Sequence, residues 1–437
     1  MSYAKFKLGD SHIYYEIDSN TLYNGSGEQL SMPPEQDPEF YESVQHLHGT
    51  TKKINKPVAL RILFGHACNY DCSYCMQKDI GNPNERVKNM FLQRFMEQIR
   101  DNLDLENLER VELWGGEPFL YWNDIKPVME LLDKEGRHFF ISTNGSPLRQ
   151  KHVDFFKTLK ASVQLSISHD GPGQNLLRGK DVLATDAVCD VLKQFDDLYP
   201  KIQFSFNCVV SKLNYDLFKI NAYFKRAADR IGITKPRISF ILGRNYDETD
   251  SQNSAHFLIG DEDRPKFKKI LHDYIDAEIA QLKEHGLDKQ QALIQSNLVV
   301  GNEGAYGFAK IMRRQVPITM TSSCGADAAD ILSLDIKGNI RLCPHTDEKY
   351  NVGKIDAIPM AQVKHLDLDR KKSHCGDCNV RRLCKSSCPI KFPDSVFMQN
   401  CKNEKVWYGA IQTKAFGLIF GQEPELVELG IEEINEA

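Results

Sequence analysis

Apolar and polar positions follow two different periods along this 437-residue chain. The short apolar runs VALRILF (58–64), RVELW (110–114), RHFFIST (137–143), VQLSIS (163–168), IQFSFNCVV (202–210) and RISFIL (237–242) read as strands. The stretches between them, 88–102, 123–135, 150–160, 185–197 and 214–231, and 262–285 after the last, carry the wider spacing of amphipathic helices. Strands alternating with helices imply βαβ units and a parallel sheet. Six units fall short of the eight in a closed barrel, so an open partial barrel and a doubly wound sheet both satisfy the pattern. Ahead of this region, KFKLGDSHIYYEIDSNTLYNGSG reads as two or three short strands, followed by a linker, SMPPEQDPEF. Beyond it long periodicity fades: LSLDIKGNIRLC (332–343) reads as a hairpin about Gly338, 403–420 as a helix, and the acidic tail GQEPELVELGIEEINEA as a solvated helix or a frayed end. The expected regions are 1–55, 56–315 and 316–437.

Composition narrows the class. Hydrophobic residues at 41% and charged residues at 26% describe an ordinary globular chain with material for a sizeable core. A net charge of −5 gives no reason to expect a nucleic acid or an anionic membrane as partner. No run approaches the roughly 18 apolar residues of a membrane span, and MSYAKFKLGD lacks the pattern of a secretory signal. The expectation is a cytoplasmic protein. Its 12 cysteines then need a reason, because structural disulfides are uncommon in that compartment. All but Cys189 and Cys208, which read as buried inert thiols, fall in two clusters.

The unusual residues follow the strands, where open α/β sheets bind ligands. GHACNYDCSYC (65–75) follows the first strand, GGEP (115–118) the second, NG (144–145) the third and HDGPGQNLLRG (169–179) the fourth. Cys68, Cys72 and Cys75 fit either a zinc ion, with His66 as a fourth ligand, or three corners of an iron–sulfur cubane.

CxxxCxxC with Tyr74 before its last cysteine, then GGEP about 40 residues later and a strand-end STNG, resembles the radical S-adenosylmethionine (SAM) enzymes. The resemblance implies a partial (β/α)6 barrel of the TIM type. It also implies a [4Fe-4S] cluster on Cys68, Cys72 and Cys75 whose remaining iron takes the amino and carboxylate groups of SAM. One electron from the cluster then breaks a C–S bond, and a 5′-deoxyadenosyl radical abstracts a substrate hydrogen. Carried onto this chain, Gly115, Gly116, Glu117 and Pro118 meet the methionine amino group, and Thr143 and Asn144 line the SAM pocket. Ser166 or Ser168 faces the ribose or carboxylate, Arg178 pairs with the methionine carboxylate, and Asn207 and Val209 lie near the adenosine.

The second cluster, Cys324, Cys343, Cys375, Cys378, Cys384, Cys388 and Cys401, resembles the seven-cysteine pattern of the SPASM domain, a C-terminal module that carries auxiliary iron–sulfur clusters. The resemblance implies two of them, expected as [4Fe-4S]. Cys375, Cys378, Cys384 and Cys401 would hold the distal one, and Cys324, Cys343 and Cys388 the nearer one. A further cysteine that some relatives place about six residues before the first is replaced here by Ile318. His345 is a possible substitute ligand, though a loop histidine facing solvent is the plainer reading.

SPASM proteins of this type largely modify peptides. Sulfatase-maturing members, which make formylglycine, carry an Asp after the cysteine matching Cys343, where this chain has Pro344. The 55 residues ahead of the core resemble instead the leader-binding, strand-rich segment of enzymes that mature ribosomally made peptides. The expected activity is thus a peptide maturase that forms a crosslink or thioether, with a precursor peptide as partner and flavodoxin or ferredoxin as electron donor. The alternative is a formylglycine-generating enzyme.

Overall fold

A computed structural model describes residues 3–17, 21–30, 50–77, 80, 89–234, 236–244, 257–284, 324–364, 375, 378–384 and 393–430. In chain order the strands are β1 (Tyr3–Leu8), β2 (Ser11–Glu16), β3 (Thr21–Asn24), β4 (Thr50–Lys52), β5 (Ala59–Leu63), β6 (Arg110–Trp114), β7 (His138–Thr143), β8 (Ser162–Ser168), β9 (Ile202–Val210), β10 (Ile238–Leu242), β11 (Ile331–Asp335), β12 (Asn339–Arg341), β13 (Asn351–Lys354), β14 (Gln362–Lys364) and β15 (Glu425–Gly430). The helices are α1 (Asn89–Asn102), α2 (Trp122–Leu132), α3 (Gln150–Thr158), α4 (Gln174–Arg178), α5 (Asp186–Asp197), α6 (Leu217–Ile231), α7 (Arg264–Glu284), α8 (Arg381–Cys384) and α9 (Asp394–Phe420).

Strands β5 to β10 lie side by side in sequence order and all parallel, an open partial barrel. All five residues of β5, ALRIL, are buried, as expected of a strand covered on both faces. The connecting helices follow from local signals. In α6 the Asp216 side chain caps the start by accepting from Lys219 N, residues Leu217, Ile220, Phe224, Ala227 and Ala228 form the buried stripe, and Gly232 ends the helix at φ 80°.

Three features were not visible in the periodicity. Strand β11, from the cysteine-rich region, joins the central sheet parallel to β5, with Ile331 opposite Ala59, and its hairpin with β12 and β13 extends the sheet to nine strands. Helix α9 begins at Asp394, nine residues before the expected start, and so carries Cys401. The acidic tail supplies a strand, not a helix: β15 pairs antiparallel with β1 and makes a four-stranded sheet ordered β15-β1-β2-β3. The run ELVEL is too short to set a helix by itself, and an edge at β1 was there to receive it as a strand. That sheet is packed onto α9, with Phe6 and Tyr15 edge-on to Phe416 at 5.2 and 5.5 Å. One apolar core therefore runs from the N-terminal sheet through the barrel to α9. Among the described residues no helix is long and apolar enough to cross a membrane.

Candidate active site

The site begins one residue past β5. Phe64 N donates to Trp114 O, and the chain then turns at Gly65, φ 154°, where a Cβ would lie 2.5 Å from the Tyr121 hydroxyl. Tyr121 Oη accepts from Ala67 N at 2.7 Å. The GGEP segment runs alongside: Gly116 N donates to Gly65 O at 2.9 Å and Glu117 N to Ala67 O at 2.8 Å. A Cβ on Gly116 would stand 2.4 Å from His66 O, so only glycine fits against this loop.

Within the loop Cys75 N donates to Cys72 O, and three donors face the sulfurs. Tyr70 N lies 3.4 Å from Cys68 Sγ, Asn144 Nδ2 3.9 Å from Cys68 Sγ, and Arg178 Nη1 3.9 Å from Cys72 Sγ. Burial pushes the Cys72 thiol up to about 11, with Arg178 opposing it, and raises Cys68 as well. These thiols become thiolates at neutral pH only when a metal centre supplies positive charge, and the donors around them suit sulfur that carries charge. All three line one cavity of about 250 Å³, whose wall also includes Gly115, Gly116, Thr143, Asn144, Ser168 and Arg178. Among the described residues no three Cys, His, Asp or Glu side chains are spaced as one bound ion would hold them.

Glu117 points away from the cavity, into the protein. It is fully buried and accepts from Phe119 N (3.1 Å), Thr143 Oγ1 (2.7 Å) and Asn144 N (2.7 Å). It thus couples the loop after β6 to the loop after β7. Asn144 closes the circuit by donating to Asn69 Oδ1 at 2.9 Å in the cysteine loop. Burial pushes the Glu117 carboxyl up to about 7, against those three donors. The folded value lies above the ordinary 4.5, so between these limits the unfolded chain sheds a proton that the folded one keeps. Stability should therefore fall as pH rises from about 4.5 to about 7, by up to ~3 kcal/mol. Glu117→Gln should flatten that slope, measured as the difference between urea melts of the two proteins across this range. Parallel pH profiles would mean that Glu117 ionises as it does in water.

Arg178 closes the far wall. Its Nε and Nη2 donate to Asp170 at 2.9 and 3.4 Å, and its guanidinium stands 5.2 Å over the Tyr74 ring. Burial works against its charge, and Asp170 more than reverses the effect. Tyr74 and Val209 also line the cavity. Ser166, Pro118 and Asn207 do not: Ser166 and Pro118 are buried beside it, and Asn207 Oδ1 is buried without a partner among the described residues. Sequence reasoning missed Asp170, Gly65 and Tyr121, and also the outer wall formed by Trp114, Ile241, Arg244 and Phe257. For Gly65, Trp114, Asp170, Ile241 and Arg244 the signal was only position, at or just past a strand end; Tyr121 and Phe257 lacked even that.

His345 is a correction. It is half-buried and lines the cavity, edge-on to Trp114 with ring centroids 4.7 Å apart. Burial, with Arg61 and His66 adding to it, lowers its imidazole to about 4, so the ring is neutral at pH 7. The hairpin carried into the central sheet by β11 brings it there.

In the second cysteine cluster Cys378 N donates to Cys375 O, and both thiols are buried. Burial raises the Cys378, Cys384 and Cys401 thiols, and nearby thiols add to it: Cys375 acts on Cys378, Cys378 on Cys384, and both Cys378 and Cys375 on Cys401. Cys384 also donates to Glu404 Oε2 at 2.6 Å. Cys324 and Cys343 lie on either side of the β11–β12 hairpin, and the carbonyl of Cys324 accepts from Arg61 Nη2 at 2.6 Å. Cys388 and Ile318 lie outside the described residues. Cys189 and Cys208 are buried, and burial raises both thiols.

Residues 62–210 match the model of the Radical SAM superfamily. An S-adenosylmethionine-dependent nucleotide dehydratase of Psychrobacter lutiphocae is 27% identical over 181 residues, 38% of this chain and 61% of that protein. The radical SAM cyclopropyl synthase TigE of Paramaledivibacter caminithermalis is 25% identical over 177 residues, 37% of each. The chain thus spans less than two thirds of either relative. Among solved structures, anSMEcpe with bound AdoMet has a TM-score of 0.60 at 18% identity, covering 84% of this chain and 100% of that one. The same protein with a bound Cp18Cys peptide scores 0.57 at 18% identity, covering 83% of this chain and 99% of that one. Streptococcus suis SuiB bound to S-adenosylmethionine scores 0.50 at 17% identity, covering 79% and 78%. The structural likeness is one of fold.

Proposed function

We propose that this chain, which carries a radical SAM domain over residues 62–210 and with it a [4Fe-4S] cluster and SAM as cofactors, matures a ribosomally made precursor peptide. The observation that carries the reading is the convergence of three thiols from one loop on a cavity shared with the ends of the next strands. When bound, the two cofactors supply one-electron cleavage of a sulfonium and hydrogen-atom abstraction by the resulting carbon radical. Cys68, Cys72 and Cys75 would hold the cluster. Gly115 and Gly116 bring bare backbone to the cavity wall, Thr143 and Asn144 are held there by Glu117, and Ser168, Arg178 and Val209 close the opposite side.

Charge favours a peptide over a nucleotide as the second guest. The cavity wall has two arginines among the described residues, and neither is left for a second anion: Arg178 meets Asp170 and would give its remaining edge to the carboxylate of SAM, and Arg244 Nε meets Glu404 at 2.6 Å. Phosphates need cations that are not already paired. What remains is largely apolar: Tyr74, Trp114, Ile241, Leu242 and Phe257. The peptide-bound anSMEcpe structure supports the same substrate class. The finer reading is crosslink or thioether formation. The peptide would lose one hydrogen atom to the carbon radical, closure of the new bond would then release a proton to solvent and one electron, and auxiliary clusters on the second cysteine set would accept that electron. Flavodoxin or ferredoxin would supply the initial electron. The regions 1–55, 56–315 and 316–437 would serve leader binding, radical formation and electron transfer. In the first of these β1 is already paired on both sides, so a leader strand would add at an outer edge.

The test is anaerobic co-expression with candidate precursor peptides, followed by mass spectrometry. A peptide lighter by two hydrogens per new bond, formed only with SAM and a reductant, is the expected product. An aldehyde in place of a cysteine or serine would mean formylglycine formation instead. A nucleotide consumed with every peptide untouched would overturn the proposal.

A further inference from the structure

Asp170 carries no role in the reading above, yet three walls of the site converge on it. Its side chain is fully buried. It accepts from Tyr74 Oη at 2.5 Å, Arg178 Nε at 2.9 Å and Val209 N at 3.0 Å. These donors come from the cysteine loop, from α4 and from β9, three separate walls of the cavity. The backbone of Asp170 is held as firmly: its N–H donates to Gln174 Oε1 at 2.8 Å, and its carbonyl accepts from Asn214 Nδ2 at 2.7 Å.

We propose that Asp170 is the positioning residue that aims Arg178 at SAM, an assignment that rests on the SAM site described above. A guanidinium is a rigid fork with five N–H donors. Asp170 takes the Nε–Nη2 edge, and what stays available is the Nη1 end, which lies 3.9 Å from Cys72 Sγ on the cavity wall. Asp170 thereby decides which edge of the fork a ligand carboxylate meets and keeps the side chain from swinging out of the cavity. The bonds from Tyr74 and Val209 satisfy the rest of this buried carboxylate. Those bonds fix its position relative to the cysteine loop and β9, which is what aiming requires.

A double-mutant cycle on the anaerobically reconstituted full chain separates the two roles. SAM is titrated calorimetrically onto wild type, Asp170→Asn, Arg178→Ala and the double variant, with iron and sulfide measured in each. The expected result is a SAM Kd raised about tenfold or more by Asp170→Asn, comparable with the loss of one charged hydrogen bond, at wild-type iron content. In the Arg178→Ala background the same change should add almost nothing. Wild-type affinity in Asp170→Asn, or effects that multiply in the double variant, would overturn the proposal. Should Asp170→Asn fail to load iron, Asp170→Glu keeps the charge and displaces it by one methylene. It should load iron and still bind SAM weakly, and wild-type affinity there would equally overturn the aiming role. If wild type itself binds no SAM, the site reading fails and this inference fails with it, an outcome distinct from additivity.

Discussion

Replacing Cys68, Cys72 and Cys75 together with alanine should abolish reductive cleavage of SAM while iron remains bound to the C-terminal cysteines. The three thiols belong to one loop, and all face one cavity. Cys72 is buried and its thiol is pushed up to about 11, so at neutral pH it would carry charge only as the ligand of a metal centre. Cys375, Cys378, Cys384 and Cys401 belong to other elements, and Cys401 sits on α9, so the substitutions leave that neighbourhood intact. The measurement is 5′-deoxyadenosine released after chemical reduction with SAM, read beside iron content and the electron paramagnetic resonance spectrum. A triple variant that still releases 5′-deoxyadenosine would end the assignment.

Gly116→Ala should be nearly as damaging although it removes no functional group. The new methyl would lie 2.4 Å from His66 O, 2.6 Å from Ala67 O and 2.7 Å from His66 C. All three are backbone atoms of the loop that presents the cysteines, so no side-chain rotation relieves the clash. Either the loop moves away or the GGEP segment does, and the two bonds between them, Gly116 N to Gly65 O and Glu117 N to Ala67 O, are lost together. Overpacking of this kind costs about 1–3 kcal/mol, concentrated where sulfur positions are set. The expected outcome is poor iron retention at the three-cysteine loop and loss of SAM cleavage. Gly115→Ala is the control, because a Cβ there meets its nearest atoms at 3.4 Å, a tight but tolerable contact. Equal iron content and turnover in Gly116→Ala and wild type would show that the loop yields.

Much of the scaffold was legible before any coordinates. The strands expected at 110–114 and 202–210 are β6 and β9 to the residue, and the others differ by at most two positions at an end. Burial dictates composition there: a strand covered on both faces reads as VALRILF whatever surrounds it. Several candidate residues were legible for the same local reason, since Cys68, Cys72, Cys75 and GGEP are short motifs whose spacing is itself the signal. Other elements gave weaker local evidence. The first turns of α9, DSVFMQNCK, mix polar and apolar residues and are interrupted by a candidate ligand, so the helix is not marked there by its sequence; further along, Trp407 stacks on Phe267 of α7 at 6.1 Å.

What the chain determined alone is the part specified by neighbours in sequence: alternating strands and helices, three thiols on one loop, glycines where backbone must touch backbone. What only the tertiary structure decided is the part specified by residues far apart. The acidic tail became β15 because β1 offered an unpaired edge more than four hundred positions away. His345 reached the cavity because β11 paired with β5, and Arg178 turned one edge of its fork inward because Asp170, fixed from β9 and the cysteine loop, was already there. Such pairings depend on which groups folding buries together, where an unmatched charge or an unpaired strand edge is costly, and periodicity along the chain carries no record of that.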